Sequence, residues 1–388
     1  MKKIPYSRQH LDEEDIQAVC EVLRSDTLTQ GPKVLEFEKA LAKTCEAKYA
    51  VAFANGTAAL HAACAALGVK EGDEGIVPPL SFAATANCLL YVGAQPLFTD
   101  VSAGLPQINV ASIQKQISPK TKIIIPVHFA GSTAPVPEIH QLAKKENLLI
   151  LEDACHALGA SYWSENEKRY IKVGSCTHSH ATAFSFHPVK NITTGEGGAV
   201  TTNDEELYQK LKSFRQHGIV LSDPEQQKPG WYYEMQDLGY NYRLTEIQAA
   251  LGLSQLKKLE KFCNLREEKF EYYRTAFENF SPAELLIPPD GVKSAFHLAI
   301  LKLRDAKKRD GLFSYLRGKQ IFCQLHYIPI YRHPYYRQHA HFRPKDFPQS
   351  EDYFEKAISI PLYPYLKREE QDYVIECIHH FFNRTICE

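Results

Sequence analysis

Ala183-Phe184-Ser185-Phe186-His187-Pro188-Val189-Lys190-Asn191-Ile192-Thr193-Thr194-Gly195-Glu196-Gly197-Gly198-Ala199-Val200-Thr201 is the stretch on which the fold turns. A short strand pattern at 183–186 delivers one lysine into a Thr- and Gly-rich turn, and an apolar run resumes at 199–201. A lysine at the end of a buried strand is costly unless it is used. An ammonium without a partner loses roughly several kcal/mol on burial and tends to shift its pKa instead. A lysine with a lowered pKa is what an imine-forming cofactor requires. A solvated loop lysine is the ordinary reading of any single Lys. The neighbours of Lys190 decide between the two.

Outward from this stretch, strands and helices alternate over the first 250 residues or so. Leu11 to Asp15 opens a helix with an acidic first turn, and Ile16, Val19, Cys20 and Leu23 follow at helical spacing. Tyr49–Phe53 reads as a strand, Asn55-Gly56-Thr57 breaks it, and Ala58 to Leu67 is an Ala-rich helix. The strands predicted next are 75–78, 96–100, 123–127 and 148–151, with helices at 83–91 and 139–146 between them. Apolar strands alternating with helices mean an α/β fold with a mainly parallel sheet covered on both faces. Ligands of such sheets sit beyond the carboxyl ends of the strands. The pattern changes near 246. Glu246 to Tyr273 reads as one long helix, Phe296 to Leu303 as a strand and Arg309 to Arg317 as a helix. A division near residue 260 separates a larger unit, 1–260, from a smaller C-terminal one, 261–388. The Trp163–His180 segment looks inserted, and Asp223–Gly230 reads as an exposed loop.

Composition narrows the function. The 388 residues are 44% hydrophobic and 23% charged, the balance of a globular protein. The formal net charge of −1 gives no global field toward nucleic acid or membrane. No apolar run approaches the ~20 residues of a membrane helix, and Met1-Lys2-Lys3-Ile4-Pro5 has no apolar stretch behind it to make a signal peptide. The ten cysteines are dispersed, without a CxxC pair, so no metal site is expected and a reducing, cytoplasmic location is.

The strand ends read together as a site. Asn55-Gly56-Thr57 at a helix start offers free N–H groups and a hydroxyl to an anion, although an ordinary N-cap has the same look. Asp153, in Glu152-Asp153-Ala154-Cys155-His156, stands where a carboxylate would hold a pyridine nitrogen protonated; a helix cap is the plainer reading. Phe82, just after a strand, suits stacking on a flat ring, or a place in the core. A phosphate cradle, a stacking ring, a carboxylate and a lysine at one sheet edge make the inventory of a pyridoxal-phosphate site.

These motifs resemble those of the DegT/DnrJ/EryC1/StrS sugar aminotransferases, within the aspartate-aminotransferase fold type I. The resemblance runs nearly end to end: Leu28-Thr29-Gln30-Gly31-Pro32, Gly56-Thr57, Ser81-Phe82-Ala83-Ala84-Thr85-Ala86-Asn87, Glu152 to Ala157, Ser185 to Lys190, and Gly239-Tyr240-Asn241-Tyr242-Arg243-Leu244-Thr245-Glu246-Ile247-Gln248. Ile4-Pro5-Tyr6-Ser7, Ser81 to Asn87 and Gln324-Leu325-His326-Tyr327-Ile328-Pro329-Ile330-Tyr331 are most similar to the pseudaminic-acid-pathway transaminases of that family.

The resemblance implies pyridoxal 5′-phosphate bonded to Lys190, with Asp153 at its ring nitrogen and Phe82 on its ring. Gly56, Thr57 and Ser185 would bind its phosphate, and His156 belongs with the cofactor-binding residues. Asn241 would reach the cofactor of a neighbouring subunit, which implies a homodimer with shared sites. Tyr6, Asp26, Thr27, Leu28, Thr29, Asn55, Gln324, Leu325, His326 and Tyr327, together with Lys190 and Asn241, would contact a nucleotide sugar. The implied reaction moves an amino group from L-glutamate to C4 of a UDP-linked 4-keto-6-deoxy-N-acetylhexosamine. Its product is UDP-4-amino-4,6-dideoxy-N-acetyl-β-L-altrosamine, and two half-reactions imply ping-pong kinetics. The alternatives are another nucleotide keto sugar (C3 or C4, dTDP or GDP), a dehydratase, or a non-catalytic regulator. Family dehydratases carry histidine in place of the lysine, and a regulator would have lost Lys190 or Asp153; this chain keeps both.

Overall fold

Strands that are apolar on both sides need cover on both sides, and the chain supplies it from helices before and after each strand. The computed structural model describes residues 3–221, 229, 231–339 and 342–384. The expected 223–230 loop therefore lies outside the described residues, apart from the exposed Pro229. In chain order come β1 (Ile4–Pro5), α1 (Glu13–Leu23), α2 (Pro32–Cys45), β2 (Tyr49–Phe53), α3 (Gly56–Ala66), β3 (Glu74–Val77), α4 (Ala84–Tyr91), β4 (Gln95–Phe98), α5 (Val110–Gln116), β5 (Thr121–Ile124), α6 (Val136–Glu146) and β6 (Leu149–Asp153). The strands β7 (Ser161–Ser164), β8 (Arg169–Lys172), β9 (Ala181–Ser185) and β10 (Gly198–Thr202) precede α7 (Glu205–Arg215), β11 (Ile219–Leu221) and β12 (Tyr233–Met235). The remainder is α8 (Glu246–Leu256), α9 (Leu259–Phe277), β13 (Ala283–Leu285), β14 (Val292–Lys293), β15 (Ala299–Leu303), α10 (Arg309–Gly318), β16 (Ile321–Phe322), α11 (Pro334–His339), α12 (Pro348–Lys356), β17 (Ala357–Ile360) and α13 (Arg368–Arg384).

Among the described residues the main sheet has seven strands, ordered β2-β10-β9-β6-β5-β3-β4. It is parallel from β9 to β4, and β10 runs antiparallel to both β9 and β2. Alternate residues of each strand serve opposite layers. Val51 and Phe53 pack with α3, α4 and α7, whereas Ala50 and Ala52 pack with α2, α8 and α9. Ile76, Ile124 and Ile150 pack with α6. The carboxyl ends of β2, β6 and β9 reach one edge, where β10 begins. That edge receives Asn55, Asp153, Ser185 and Lys190.

A second core lies in the C-terminal part, where α9, α10 and α13 pack on the β13-β15-β17 sheet. The N-terminus joins it: Ile4 pairs in parallel with Ile321 of β16 and is buried there. The Trp163–His180 segment builds the β7–β8 hairpin, to which β14 adds a third strand.

Two expectations are corrected. The long helix over 246–273 is two helices, α8 and α9. The break falls where Lys258 turns its ammonium toward Asp12, and toward Asp15 at 3.1 Å, at the start of α1. The strand expected from Phe296 begins at Ala299, because Ala295 and His297 give their N–H groups to the carbonyls of Gly131 and Ala130 instead. Phe296 takes a φ of 46° at that crossing.

Candidate active site

Lys190 closes a turn in which its N–H donates to the His187 carbonyl at 2.9 Å. Its side chain opens into a cavity of about 980 Å3 at the carboxyl edge of the sheet. Burial pulls the amine below the ordinary lysine pKa, while Cys155 and Asp153 pull it back toward charge. Desolvation is the larger effect, so the neutral amine is favoured over that of a surface lysine.

Asp153 ends β6, and both of its carboxylate oxygens are held. Oδ2 accepts from Thr85 Oγ1 at 2.6 Å, and Oδ1 accepts from the Cys155 N–H at 3.2 Å. Ser81 Oγ lies 2.6 Å from Thr85 Oγ1 and extends the chain of hydroxyls. Glu152, one residue earlier, faces the other side of the sheet. There it bonds His128 Nε2 at 2.6 Å and Thr182 Oγ1 at 3.1 Å. The His128 imidazole accepts the Ala134 N–H at Nδ1, so its Nε2–H donates to Glu152.

Asn55 is the N-cap of α3, its side chain accepting from the Ala58 N–H at 2.8 Å. The helix cap and the cavity wall are thus the same residue. Gly56 and Thr57 open the helix, where first-turn N–H groups have no partner within the helix. A Cβ at Gly56 would meet Ser185 Cβ at 2.9 Å, so glycine alone fits there without displacing β9.

The opposite wall comes from the C-terminal part. Gln324, Leu325, His326 and Tyr327 line the cavity with Tyr6. His156 Nε2 lies 3.0 Å from the Tyr327 hydroxyl. Its Nδ1 is buried without a partner, as is Nδ1 of His297, and the two rings are 4.4 Å apart. Burial drives both imidazoles well below the ordinary histidine range, and Lys190 adds to the effect. Phe82 is 62% exposed on the cavity wall, its ring 6.4 Å from that of Tyr327.

Two sets of expected residues are not at this cavity. Asp26, Thr27, Leu28 and Thr29 are exposed and lie against the start of α8, where the Glu246 N–H donates to the Leu28 carbonyl at 3.0 Å. Asn241 is exposed beside Gln216. Conversely, Ser81, Cys155 and Tyr242 line the cavity, Thr85 bonds Asp153 and His297 packs on His156, places that the sequence alone does not assign them.

Residues 9–379 match the sequence pattern of one family of aminotransferases. This chain belongs to the DegT/DnrJ/EryC1/StrS aminotransferase family. It is similar to the spore coat polysaccharide biosynthesis protein SpsC of Bacillus subtilis, 37% identical over 381 residues that cover 97% of this chain and 96% of SpsC. Helicobacter pylori PseC, an aminotransferase involved in the biosynthesis of pseudoaminic acid, superposes with a TM-score of 0.92 at 36% identity, covering 99% of this chain and all of PseC. The putative sugar aminotransferase Spr1654 of Streptococcus pneumoniae, solved in its PLP form, gives a TM-score of 0.91 at 29% identity over 99% of each chain. The fold is that of PLP-dependent aminotransferases, and pyridoxal phosphate is the cofactor. The site fits it on its own terms, with a glycine-lined helix start for a phosphate, a carboxylate fixed by two donors and an unpartnered buried imidazole nitrogen on the wall. Among the described residues no helix is long and apolar enough to cross a membrane, and no cluster of His, Cys, Asp or Glu gathers to hold a metal ion.

Proposed function

We propose that this family member transfers the amino group of L-glutamate to C4 of a UDP-linked 4-keto-6-deoxy-N-acetylhexosamine, forming UDP-4-amino-4,6-dideoxy-N-acetyl-β-L-altrosamine. The observation that carries the chemistry is a desolvated Lys190 and a doubly held Asp153 on one cavity. The likeness to PseC favours this sugar. The 37% identity to SpsC, against 36% to PseC, favours as a second reading a keto sugar bound for a polysaccharide.

Pyridoxal phosphate, when bound, supplies the electron sink for the carbon that loses its proton. Lys190 Nζ would take the α-proton of the amino donor and pass it to the cofactor's C4′ carbon, and in the second half-reaction carry a proton from that carbon to C4 of the sugar, a role that needs a nearly neutral amine. Asp153 holds the proton of the ring nitrogen, and its own orientation is fixed by Thr85 and the Cys155 N–H. Gly56, Thr57 and Ser185 bind the phosphate, His156 contacts the cofactor and Phe82 covers its ring. Tyr6, Asn55 and residues 324–327 hold the sugar nucleotide.

Residues 26–29 and Asn241 complete the site of a second copy, in a homodimer. The exposed apolar side chains of Trp231, Tyr233, Met235 and Leu238 support such an assembly. The division between cofactor-binding and C-terminal parts belongs near residue 260, at the start of α9.

The test is an absorbance scan of the protein with pyridoxal phosphate, before and after L-glutamate and then UDP-4-keto-6-deoxy-N-acetyl sugars. The visible band of the cofactor bonded to Lys190 collapses with glutamate and returns with one sugar epimer. Collapse without recovery by any UDP sugar rejects the substrate and leaves the class of reaction. Absence of the band rejects the role of Lys190.

A further inference from the structure

Residues 3–10 link the C-terminal core to the turn after β9 and to α8, with Tyr6 on the cavity wall, and one of them holds the backbone that carries Lys190. Ile4 pairs with Ile321, and the Ile4 N–H donates to the Gln320 carbonyl at 3.0 Å. The Tyr6 carbonyl accepts the Leu362 N–H at 2.9 Å. These bonds fix residues 4–6 to the C-terminal core. One residue later, the buried Ser7 donates its Oγ–H to the Val189 carbonyl at 3.0 Å. His10 then stacks on Tyr365, 3.7 Å between ring centroids, and its carbonyl accepts from Gln255 Nε2 at 3.0 Å. Among the described residues the other hydrogen bonds of 187–190 are local: Lys190 N–H to the His187 carbonyl, His187 N–H to Ser185 Oγ at 3.4 Å, and Val189 N–H to His187 Nδ1 at 3.5 Å. Pro188 has no N–H to give. Two of these three local bonds are at the long end of the range, so what reaches the turn from afar contributes to holding it in place.

We propose that Ser7 is a positioning residue for Lys190: by holding the Val189 carbonyl it sets the turn from which the lysine amine enters the cavity, and through its neighbour Tyr6 it ties the sugar-side wall to that turn. The first half rests on geometry alone. The second rests on the reading of Tyr6 as a sugar contact given above. Tyr6, Val189 and Lys190 line the same cavity, so the link is one residue long on either side of the Ser7–Val189 bond. The amine's environment depends on where the turn places it, and a slack turn lets it reach water.

Hydrogen–deuterium exchange of the cofactor-free protein tests the first half without any assumption about activity. Ser7→Ala exchanges several-fold faster over 187–191 than wild type, with β9 unchanged, and Ser7→Thr, which keeps the hydroxyl, restores the slow rate. Ser7→Cys, close in size and a weak donor, gives a smaller increase and serves if Ser7→Ala does not fold. In the protein loaded with pyridoxal phosphate, the pH midpoint of the visible absorbance moves in Ser7→Ala and returns in Ser7→Thr. With substrate, Ser7→Ala lowers kcat as well as raising KM for the sugar. Exchange over 187–191 that matches wild type in Ser7→Ala overturns the proposal. So does faster exchange with an unmoved pH midpoint, because the turn then has no hold on the amine. If wild-type protein shows no visible band with the cofactor, the functional reading fails while the exchange result still decides the role of Ser7.

Discussion

At the scale of single residues, Lys190 combines burial with the nearness of Asp153 and Cys155, and burial dominates. In the loaded enzyme Lys190→Ala therefore lowers kcat by at least about 10^2–10^4-fold while leaving the protein folded, as measured by steady-state turnover beside far-UV circular dichroism. In wild type the limb of activity that reports this amine rises with pH, as the ammonium gives up its proton, at a midpoint below that of an ordinary lysine. Thr85 acts through Asp153. Thr85→Val removes one of the carboxylate's two donors and keeps the shape of the side chain. Loss of a hydrogen bond to a charged group is worth about 1.5–3 kcal/mol, so cofactor affinity falls by roughly 10- to 100-fold in a fluorescence titration. Undiminished affinity would show that the Cys155 N–H suffices. The sequence pointed to Lys190 and Asp153 because each follows an apolar strand with a costly polar group. Thr85 and His297 carry no such mark: a hydroxyl on a helix and a histidine in an apolar run are both common in cores.

Single elements of the fold depend on residues far away in sequence. α2 has Gly31 at its N-cap, which has no side chain to cap it. The Glu246 carboxylate of α8 takes that place, accepting from the Lys33 N–H at 2.7 Å and the Val34 N–H at 3.1 Å. The fit is close: a Cβ at Gly31 would meet Thr27 Oγ1 at 2.5 Å and Glu246 Oε2 at 2.6 Å. Glu246→Ala leaves two N–H groups of a helix start without their acceptor and destabilises the protein by about 1–3 kcal/mol, read from urea midpoints. Glu246→Gln, which keeps an acceptor, loses less. The helix pattern of 246–273 was legible from its leucines, but its break was not. Lys257 and Lys258 are good helix formers, and only the carboxylates of α1 give Lys258 a reason to turn inward.

The whole molecule holds several neutral histidines next to a lysine. Burial lowers His156 and His297 well below the usual range and His326 to about 3. In the unfolded chain these groups titrate near ~6.5, so between the two values the unfolded state binds more protons. Their contribution to stability is complete above about pH 6.5 and is lost as pH falls toward the folded-state values. Urea midpoints of the cofactor-free protein fall steadily below about pH 6.5, and His297→Asn flattens the slope. Midpoints that hold down to about pH 4 would mean these imidazoles are already charged in the fold. The exposed apolar surface is the other whole-molecule feature: Trp231 and Leu238 are each 77% exposed and Met235 is 65% exposed. Leu238→Asp with Met235→Asp yields monomers in sedimentation at low micromolar concentration. A persistent dimer places the interface elsewhere.

The sequence by itself determined the alternation of strands and helices, the carboxyl edge as the place of the site, and the lysine, carboxylate, glycine and phenylalanine that stand there. These follow from local periodicity and from the cost of burying polar groups at strand ends. Tertiary structure alone decided which distant groups answer them: Thr85 on Asp153, Ser7 on Val189, and Glu246 on the start of α2. Each of these joins residues tens to hundreds of positions apart, and a hydrogen bond across the fold leaves no periodic trace in the chain. Residues 26–29 and Asn241 show the same limit from the other side, for their motifs are plain in the sequence while their place is outside one chain's cavity.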